Sequence, residues 1–267
     1  MSLSTQSTDS SAADRSPRIA PPAAHFSADA YDRYAAPQRF AASALLDAIT
    51  DLSPATILEP GCGTGLFTRM LLDRFAGASV LAFDISPAAI TAARERIPDP
   101  RATFDVADAA TFSGGHHDLV TANALFQWLP DPTSTVAQYA RMVRPGGALA
   151  FSAFGPRTYT ELADAMAHVF GASVSVASAS FADEARWETA MHAAFEGGNV
   201  QEHSYSVEFP SLKELLLSIR HTGNYRRAVS PSVWTPSRFT QVERFYQASC
   251  GSITATYQVF VCVGYVR

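Results

Sequence analysis

The stretch ILEPGCGTGLFTRMLL, residues 57–72, decides the fold of this chain. A short apolar run enters a turn in which Gly61, Gly63 and Gly65 alternate with other residues, and apolar residues then recur at helical spacing. Alternate glycines let the backbone pass close to a ligand where any Cβ would collide. A loop that opens a helix also offers free N–H groups to an anion or a carboxylate. We therefore predict a strand, a ligand-binding loop and a helix.

The alternation of strand and helix continues on both sides of this loop. Strand patterns recur at residues 79–86, 101–108, 117–125 and 147–155, and helical patterns at 40–49, 66–75, 87–97 and 133–143. Ser86 is the expected N-cap of one helix, with Pro87 at its first position. Strict rotation of strand and helix predicts an α/β, Rossmann-like, mostly parallel sheet with helices on both faces. Ligands of such folds bind at the carboxyl ends of the strands.

The two ends of the chain follow other patterns. Residues 1–24 are rich in Ser, Ala and Pro and lack the apolar core of a signal peptide, so we predict a disordered tail. We assign residues 25–155 to the ligand-binding core with an N-terminal helix. Residues 156–267 are predicted to complete the same domain and to contain an inserted helical cap for the substrate. This part has helical patterns at 158–170 and 211–224, a less regular stretch at 171–205 and a β-rich run at 254–266.

The composition excludes several classes of protein. Hydrophobic residues make up 47% of the chain and charged residues 17%, as is typical of a folded domain. The net charge of −5 and the lack of a basic stripe argue against nucleic-acid binding. No apolar run approaches the ~20 residues that a membrane span needs. The 3 cysteines form neither a metal-binding spacing nor a disulfide framework, so we predict a reducing cytoplasmic location and no metal site.

Acidic residues follow three successive strand patterns. A dinucleotide-binding loop would need a glycine where this chain has Leu66. Glu59 instead places a carboxylate just before the loop, where it suits the amino group of a cationic ligand. Asp84, which lies 21 residues beyond Gly63, is placed to accept the hydroxyls of a ribose, and Asp108 to receive the amine of an adenine. The three acids together predict S-adenosylmethionine as the ligand.

Over residues 50–155 these motifs resemble the class I S-adenosylmethionine-dependent methyltransferases. The resemblance implies a seven-stranded sheet and S-adenosylhomocysteine as the cofactor product. It implies cofactor contacts from Gly61, Gly63, Ile85, Ala109 and Asn123. In the segment NALFQWLPD, Asn123 and Gln127 would face the methyl donor. Phe126 and Trp128 either wall the pocket or belong to the core.

Five further segments carry a more specific resemblance. They are HFSADAYDRYAAPQRFAASALL, ANALFQWLPDP, FGPRTYTEL, LLSIRHTGN and TYQVFVCVGYV. Their combination resembles the malonyl-carrier-protein O-methyltransferases of biotin synthesis. The resemblance implies methyl transfer to the free carboxylate of a malonyl thioester, delivered on the phosphopantetheine arm of an acidic acyl carrier protein. Because a carboxylate with a pKa near ~4 is already ionised at neutral pH, the enzyme needs alignment of the reacting atoms and no general base.

Few side chains are candidates for holding the substrate carboxylate. Arg157 follows the fifth strand on the ligand-binding edge and is the first candidate, although an ordinary surface charge fits the same position. Tyr31 and Gln38 lie seven residues apart on the predicted N-terminal helix, and we expect them to close over donor and substrate. Tyr225 and Tyr257 are candidates for additional hydroxyl groups.

Residues 213–244 form a basic segment in an otherwise acidic chain. Its basic side chains outnumber Glu214 and Glu243, and they are Lys213, Arg220, Arg226, Arg227, Arg238 and Arg244. Basic clusters attract acidic partners and speed encounter. We predict that the carrier protein docks near Arg220, Arg226 and Arg227, the alternative being a solvated helix face.

Other functions fit parts of the same sequence. NALFQWL also resembles methyltransferases of free small carboxylic acids such as aconitate. Some relatives of this fold are assembly or hydroxylation factors that transfer no methyl group, and a module that only binds S-adenosylmethionine is a further alternative. Assays with carrier-bound malonyl groups and free acids discriminate among them.

Overall fold

The computed structural model describes residues 27–171, 175–222 and 234–267, so the predicted tail at 1–24 lies outside the described residues. The strands are β1 (Thr56–Pro60), β2 (Ser79–Asp84), β3 (Ala102–Val106), β4 (His117–Ala122), β5 (Val143–Phe154), β6 (Asn199–Phe209) and β7 (Ile253–Tyr265). The helices are α1 (Ala28–Tyr34), α2 (Ala36–Asp47), α3 (Leu66–Arg74), α4 (Pro87–Arg96), α5 (Pro132–Ala140), α6 (Thr160–Phe170), α7 (Glu184–Ala194), α8 (Leu212–His221) and α9 (Pro236–Cys250). Short 3-10 helices cover Phe126–Trp128 and Ala177–Ser180.

The strands form one seven-stranded sheet in the order β3-β2-β1-β4-β5-β7-β6. The pairs from β3 to β5 are parallel, whereas β7 runs antiparallel to both β5 and β6. The predicted α/β fold with a mostly parallel sheet is confirmed. The order reverses between β1 and β4, which is where a doubly wound sheet opens a crevice for ligands.

Local capping signals explain where several helices begin. The Ser86 hydroxyl accepts a hydrogen bond from the Ala89 N–H, and Pro87 occupies the first position of α4, as predicted. Asp131 caps α5 in the same way by accepting from the Ser134 N–H at 2.8 Å. Each cap satisfies a donor that the helix itself leaves unpaired.

Two layers of helices cover the faces of the sheet. Neighbouring residues of β1 face opposite layers because side chains alternate along a strand. Ile57 packs in the cluster that contains residues of α2, α3, α6, α8 and α9, and Leu58 packs in the cluster that contains residues of α5 and α7. The helices α8 and α9 thus contribute to the same core as α2. The predicted boundary between residues 155 and 156 stays a prediction.

The structure differs from the sequence-based expectations in four places. The single N-terminal helix is two helices that break at Ala35, because Pro37 has no N–H to donate to a carbonyl in the preceding turn and is tolerated only in the first turn of a new helix. The stretch 171–205, predicted to be less regular, contains α7 and most of β6, and α9 was not predicted at all. The strand predicted at 147–155 begins earlier, since β5 starts at Val143 and its register with β4 shifts between Val143 and Ala148. Within the described residues, no helix combines the length and the apolarity that a membrane span requires.

Candidate active site

The glycine loop between β1 and α3 has the backbone geometry that the sequence predicts. Gly61 has φ +70°, and an added Cβ there would lie 2.8 Å from the Leu125 side chain. Gly63 has φ +55°, and no atom lies within 4 Å of an added Cβ. Both backbone conformations are ones that residues with a Cβ rarely adopt. The loop therefore passes under Leu125 at one glycine and leaves open space at the next.

A cleft opens above this loop at the carboxyl ends of β1 and β4. Its empty volume, including the part open to solvent, is about 290 Å³. Its lining residues are Tyr31, Gln38, Glu59, Gly61, Cys62, Leu66, Phe67 and Asn123. The structure thus brings together five residues that the sequence analysis assigned to the cofactor, and Leu66 and Phe67 add an apolar wall.

Glu59 is the buried acid of the cleft. The residue is 1% exposed, and its carboxyl accepts a hydrogen bond from the Thr68 hydroxyl at 2.6 Å. Burial raises the pKa of this carboxyl to about 8, and the charge of Asp84 acts in the same direction. A cationic group bound in the cleft would favour the ionised form. The site is therefore suited to a positively charged ligand.

Asp84 links the end of β2 to the glycine loop. One carboxylate oxygen accepts from the Gly63 N–H at 3.0 Å, and the other accepts from the Ser86 N–H at 2.9 Å. Burial raises the pKa of Asp84, whereas these backbone hydrogen bonds lower it. Each carboxylate oxygen keeps a further lone pair for a ligand hydroxyl. The half-buried Ile85 follows directly.

Asp108 lies beyond the end of β3 and outside the residues that line the cleft. Its side chain is exposed and accepts from the Ala110 N–H at 2.9 Å. The carbonyl of the buried Ala109 accepts from the Tyr139 hydroxyl at 2.8 Å. These contacts shape the loop after β3, which is the position the sequence assigned to the adenine.

Asn123 and Gln127 have different surroundings. The Asn123 amide donates to the Gln38 carbonyl at 3.0 Å and accepts from the Ser152 hydroxyl at 2.7 Å, so it is fixed at the wall of the cleft. The Gln127 amide donates to the Ala124 carbonyl at 2.7 Å, and its oxygen accepts from the Phe154 N–H at 3.4 Å. Gln127 therefore supports the turn after β4 and does not line the cleft.

The two aromatic residues of this turn pack in the protein interior. Phe126 is fully buried and stacks on Tyr139 with 5.0 Å between the ring centroids. Trp128 meets Phe181 edge to face at 5.0 Å. The interpretation of Phe126 as a core residue is confirmed, and neither ring lines the cleft.

Tyr31 and Gln38 cover the cleft from two different helices. Gln38 is 5% exposed, and its side-chain oxygen is buried without a hydrogen-bond partner in the described chain. Burial and the charge of Asp84 raise the pKa of Tyr31, which keeps the phenol protonated. An unpaired buried acceptor is costly and suggests a missing donor. The cleft therefore has a place for a ligand with hydrogen-bond donors.

Sequence reasoning missed the contacts that hold α1 over the loop. The Thr64 hydroxyl donates to the Asp32 carboxylate at 2.7 Å, and Arg96 forms an ion pair with the same carboxylate. On the other side of α1, the Tyr34 hydroxyl donates to Glu214 on α8 at 2.8 Å. No short motif predicts these pairs because their members lie far apart in sequence.

Arg157 lies away from the cleft. Its guanidinium forms an ion pair with Glu202 on β6, and its backbone N–H donates to the Gln258 side chain at 2.9 Å. The side chain is 65% exposed. Tyr257 is buried against Tyr159, with 5.0 Å between the ring centroids, and also lies outside the cleft.

The basic segment retains exposed charge on α8 and α9. Its two acids are engaged, since Glu214 accepts from Tyr34 and Glu243 accepts from the Leu212 N–H at 3.1 Å. In the part of the chain that the structure describes, Lys213, Arg220 and Arg244 are exposed and form no ion pair. Arg238 lies over the Phe170 ring at 5.5 Å. Tyr225, Arg226 and Arg227 lie outside the described residues.

Across residues 27–171, 175–222 and 234–267, no group of three or more His, Cys, Asp or Glu residues is arranged to hold a metal ion.

Known proteins resemble this chain in sequence and in fold. The family model described as "Methyltransferase domain" matches residues 58–151. A malonyl-(acyl-carrier protein) O-methyltransferase of Anoxybacillus flavithermus is 36% identical over 242 residues, which cover 86% of this chain and 90% of the relative. A protein of the same name from Paenibacillus sp. is 30% identical over 253 residues, covering 86% of this chain and 92% of the relative.

Solved structures show the same fold at low sequence identity. The YcgJ protein of Bacillus subtilis has a TM-score of 0.59 and 11% identity, covering 86% of this chain and 99% of that one. Phosphoethanolamine N-methyltransferase 2 of Haemonchus contortus, solved with S-adenosyl-L-methionine, has a TM-score of 0.57 and 18% identity. That match covers 89% of this chain and 56% of the other.

Proposed function

This chain belongs to the malonyl-(acyl-carrier protein) O-methyltransferase family, and we propose that it methylates the free carboxylate of a malonyl group carried on acyl carrier protein, early in biotin synthesis. The observation that carries the proposal is the 36% identity over nearly the whole length of both chains. The cleft at the ends of β1 and β4 supports it, because its residues fit a cationic nucleoside ligand.

The enzyme uses S-adenosyl-L-methionine, and the cleft offers a fitting set of groups. The buried Glu59 carboxyl suits the ligand's amino group, Asp84 the ribose hydroxyls, and the unpaired Gln38 oxygen a further donor. The open space at Gly63 admits a ligand close to the backbone. We assign Asp108 and Ala109 to the adenine. When bound, the cofactor supplies an electrophilic methyl group on a sulfonium, and S-adenosyl-L-homocysteine is its product.

Methyl transfer to a carboxylate requires no proton transfer by the protein. A malonyl carboxylate is ionised at neutral pH because its pKa lies near ~4. The work of the chain is to orient the carboxylate and to exclude water, and orientation alone contributes large rate factors in enzymes. Leu66 and Phe67 supply the apolar wall, and the Asn123 amide and the Tyr31 phenol supply polar groups beside it.

The assigned catalytic residues differ in how they would act. Tyr31 and Asn123 line the cleft and are placed to contact the reacting groups. Gln127 would act indirectly, because its hydrogen bond supports the turn that carries Asn123. Arg157 would release Glu202, its present partner, and bind the substrate carboxylate instead. This exchange makes Arg157 a ligand of the incoming substrate and not of the cofactor.

The carrier protein supplies the partner for the basic segment. Lys213, Arg220 and Arg244 present positive charge on α8 and α9 that no acid of the described residues pairs, and Tyr34 connects α8 to the helix over the cleft. Opposite charge steers encounter between such surfaces.

We also assign the protein to the reducing cytoplasm, because Cys62, Cys250 and Cys262 are all free thiols.

Label transfer tests the function directly. The purified protein is incubated with methyl-labelled S-adenosylmethionine and malonyl-acyl-carrier protein, with acetyl-acyl-carrier protein as the control that lacks a free carboxylate. We expect base-labile label on the malonyl carrier alone. Label on free aconitate in preference to the carrier would support the small-acid alternative, and no transfer to any acid would refute the methyltransferase proposal.

A further inference from the structure

The helix α1 crosses the glycine loop and is held there mainly by polar contacts. Its residues are half-buried or exposed and none is fully buried, so apolar packing alone does not fix its position. Its strongest contacts come from Asp32, whose two carboxylate oxygens have different partners. One oxygen accepts from the Thr64 hydroxyl at 2.7 Å, and the other pairs with Arg96 at the end of α4.

Asp32 is set apart from the neighbouring acid on the same helix. The Asp32 side chain is 27% exposed, whereas that of Asp29 is 98% exposed. Both acids pair with Arg96, but only Asp32 reaches the glycine loop. Exposed ion pairs contribute little to stability, while charge-assisted hydrogen bonds in partly buried positions contribute more. The two acids therefore form a matched pair for experiment.

Asp32 lies next to residues of the cleft and of the helix α2. Tyr31, its neighbour in sequence, lines the cleft, and the loop residue that Asp32 holds, Thr64, lies between Cys62 and Leu66, which also line the cleft. The Arg39 guanidinium donates to the Asp32 carbonyl at 2.9 and 3.1 Å, which braces the break between α1 and α2. A single residue thus connects the roof of the cleft, its floor and the helix that carries Gln38.

We propose that Asp32 is a positioning residue that fixes α1 across the glycine loop and so sets Tyr31 and Gln38 over the bound cofactor. Asp32 does not line the cleft, and its effect passes through Thr64 and Arg96. The proposal concerns cofactor binding and does not depend on which carboxylic acid is methylated.

The test uses binding of S-adenosylhomocysteine by calorimetry, which needs no acceptor substrate. Asp32→Ala removes both contacts, and we expect the dissociation constant to rise about 10-fold, as loss of a charge-assisted hydrogen bond predicts. Thr64→Val removes the hydroxyl donor at nearly constant shape, and we expect a rise of about 3- to 10-fold. Thr64→Ser keeps the hydroxyl and should bind like the wild type, and Asp29→Asn should change binding less than about 2-fold.

Kinetics separate positioning from a general loss of structure. For Asp32→Ala, we expect a faster release of S-adenosylhomocysteine and a higher KM for the methyl donor, with a smaller fall in kcat at saturating donor. An unchanged dissociation constant for Asp32→Ala would overturn the proposal, and so would an equal loss for Asp29→Asn. If Asp32→Ala does not fold, the comparison of Thr64→Val with Thr64→Ser decides, and equal binding by these two variants overturns the proposal.

Discussion

The parallel and antiparallel halves of the sheet hold their polar side chains in different ways. In the parallel half, from β3 to β4, Asp84 is tied to nearby backbone, since it accepts from the N–H groups of Gly63 in the glycine loop and of Ser86 two residues further on. In the antiparallel half, Arg157 after β5 and Glu202 on β6 form an ion pair between long side chains. Backbone-anchored groups are preorganised for a ligand that never varies. Side-chain pairs at the surface exchange partners at little cost.

The largest effect is expected at Asp84, which anchors the loop and which we assign to the ribose of the ligand. Asp84→Ala would leave the Gly63 and Ser86 N–H groups unpaired and remove the ribose acceptor. Loss of about two charge-assisted hydrogen bonds predicts a rise of about 100-fold in the dissociation constant of S-adenosylhomocysteine, measured by calorimetry. Asp105→Ala, on the exposed face of β3, is the control and should bind normally. Binding within about 3-fold of the wild type for Asp84→Ala would contradict the preorganised loop.

The second prediction concerns the pH dependence of the ligand-free protein. Burial raises the pKa of Glu59 to about 8, above its usual value in an unfolded chain, so the folded state binds the proton more tightly. The stabilisation is complete below pH ~4 and is lost as the pH rises towards 8. We expect the free energy of unfolding to fall by about 3–4 kcal/mol between pH 5 and pH 8.

Glu59→Gln supplies the comparison for this pH dependence. The amide cannot ionise, so denaturant titrations of the variant should lack the decline that Glu59 causes. A decline of equal size in both proteins would place its origin elsewhere in the molecule.

The third prediction tests the close approach in the loop. Gly61→Ala would place a Cβ 2.8 Å from the Leu125 side chain at a backbone angle of φ +70°. We expect a loss of about 2 kcal/mol in the free energy of unfolding, because both strain and overpacking contribute. Gly77→Ala is the matched control, since nothing lies within 4 Å of its added Cβ and its φ is not positive. Equal thermal stability of the two variants would contradict the close packing of the loop under Leu125.

The fourth prediction moves to the antiparallel half and the basic segment. Reversal of two unpaired charges, Lys213→Glu with Arg220→Glu, should lower kcat/KM for malonyl-acyl-carrier protein about 5-fold at low salt, and less at high salt. Arg141→Glu, at the end of α5 on the other face of the sheet, provides the control. If the double variant Lys213→Glu with Arg220→Glu turns over the carrier like the wild type, this surface is a solvated helix face and the carrier does not dock on α8.

The smallest effect is expected at the exchangeable ion pair. Arg157→Gln should raise the KM for the malonyl carrier about 3-fold and leave cofactor binding unchanged, while Glu202→Gln frees the arginine and should lower that KM. Thermal stability should change little in both variants, because the Arg157 side chain is 65% exposed. Equal increases in KM for the two variants would show that the Arg157–Glu202 ion pair supports the structure and that Arg157 does not bind the substrate.

The sequence predicted the parallel half well because its signals are local. The glycine loop, the Ser86 cap with Pro87, and the position of Glu59 at the end of β1 all follow from short motifs. Alternating strands and helices then predict a mostly parallel sheet with helices on both faces.

The remaining features depend on contacts between distant residues. Thr64 and Asp32 are 32 residues apart, and Arg157 and Glu202 are 45 apart, so no local pattern pairs them. The edge strand β6 mixes polar and apolar residues, which made its stretch look irregular although the alternation was present. The helix α9 was predictable in principle, since Thr235 caps it and Pro236 opens it. Arg157 follows a central strand, but its ion pair directs the side chain towards the sheet edge.

The helix α1 has a further consequence for how the molecule exchanges its nucleoside. Since α1 contains no fully buried residue, it can separate from the domain at a smaller free-energy cost than the central strands. We expect the amide hydrogens of Ala28–Tyr34 to exchange with deuterium well before those of β4, and S-adenosylhomocysteine to slow that exchange. Spent nucleoside would then leave by a local opening at the roof, while the sheet beneath keeps its shape for the next turnover.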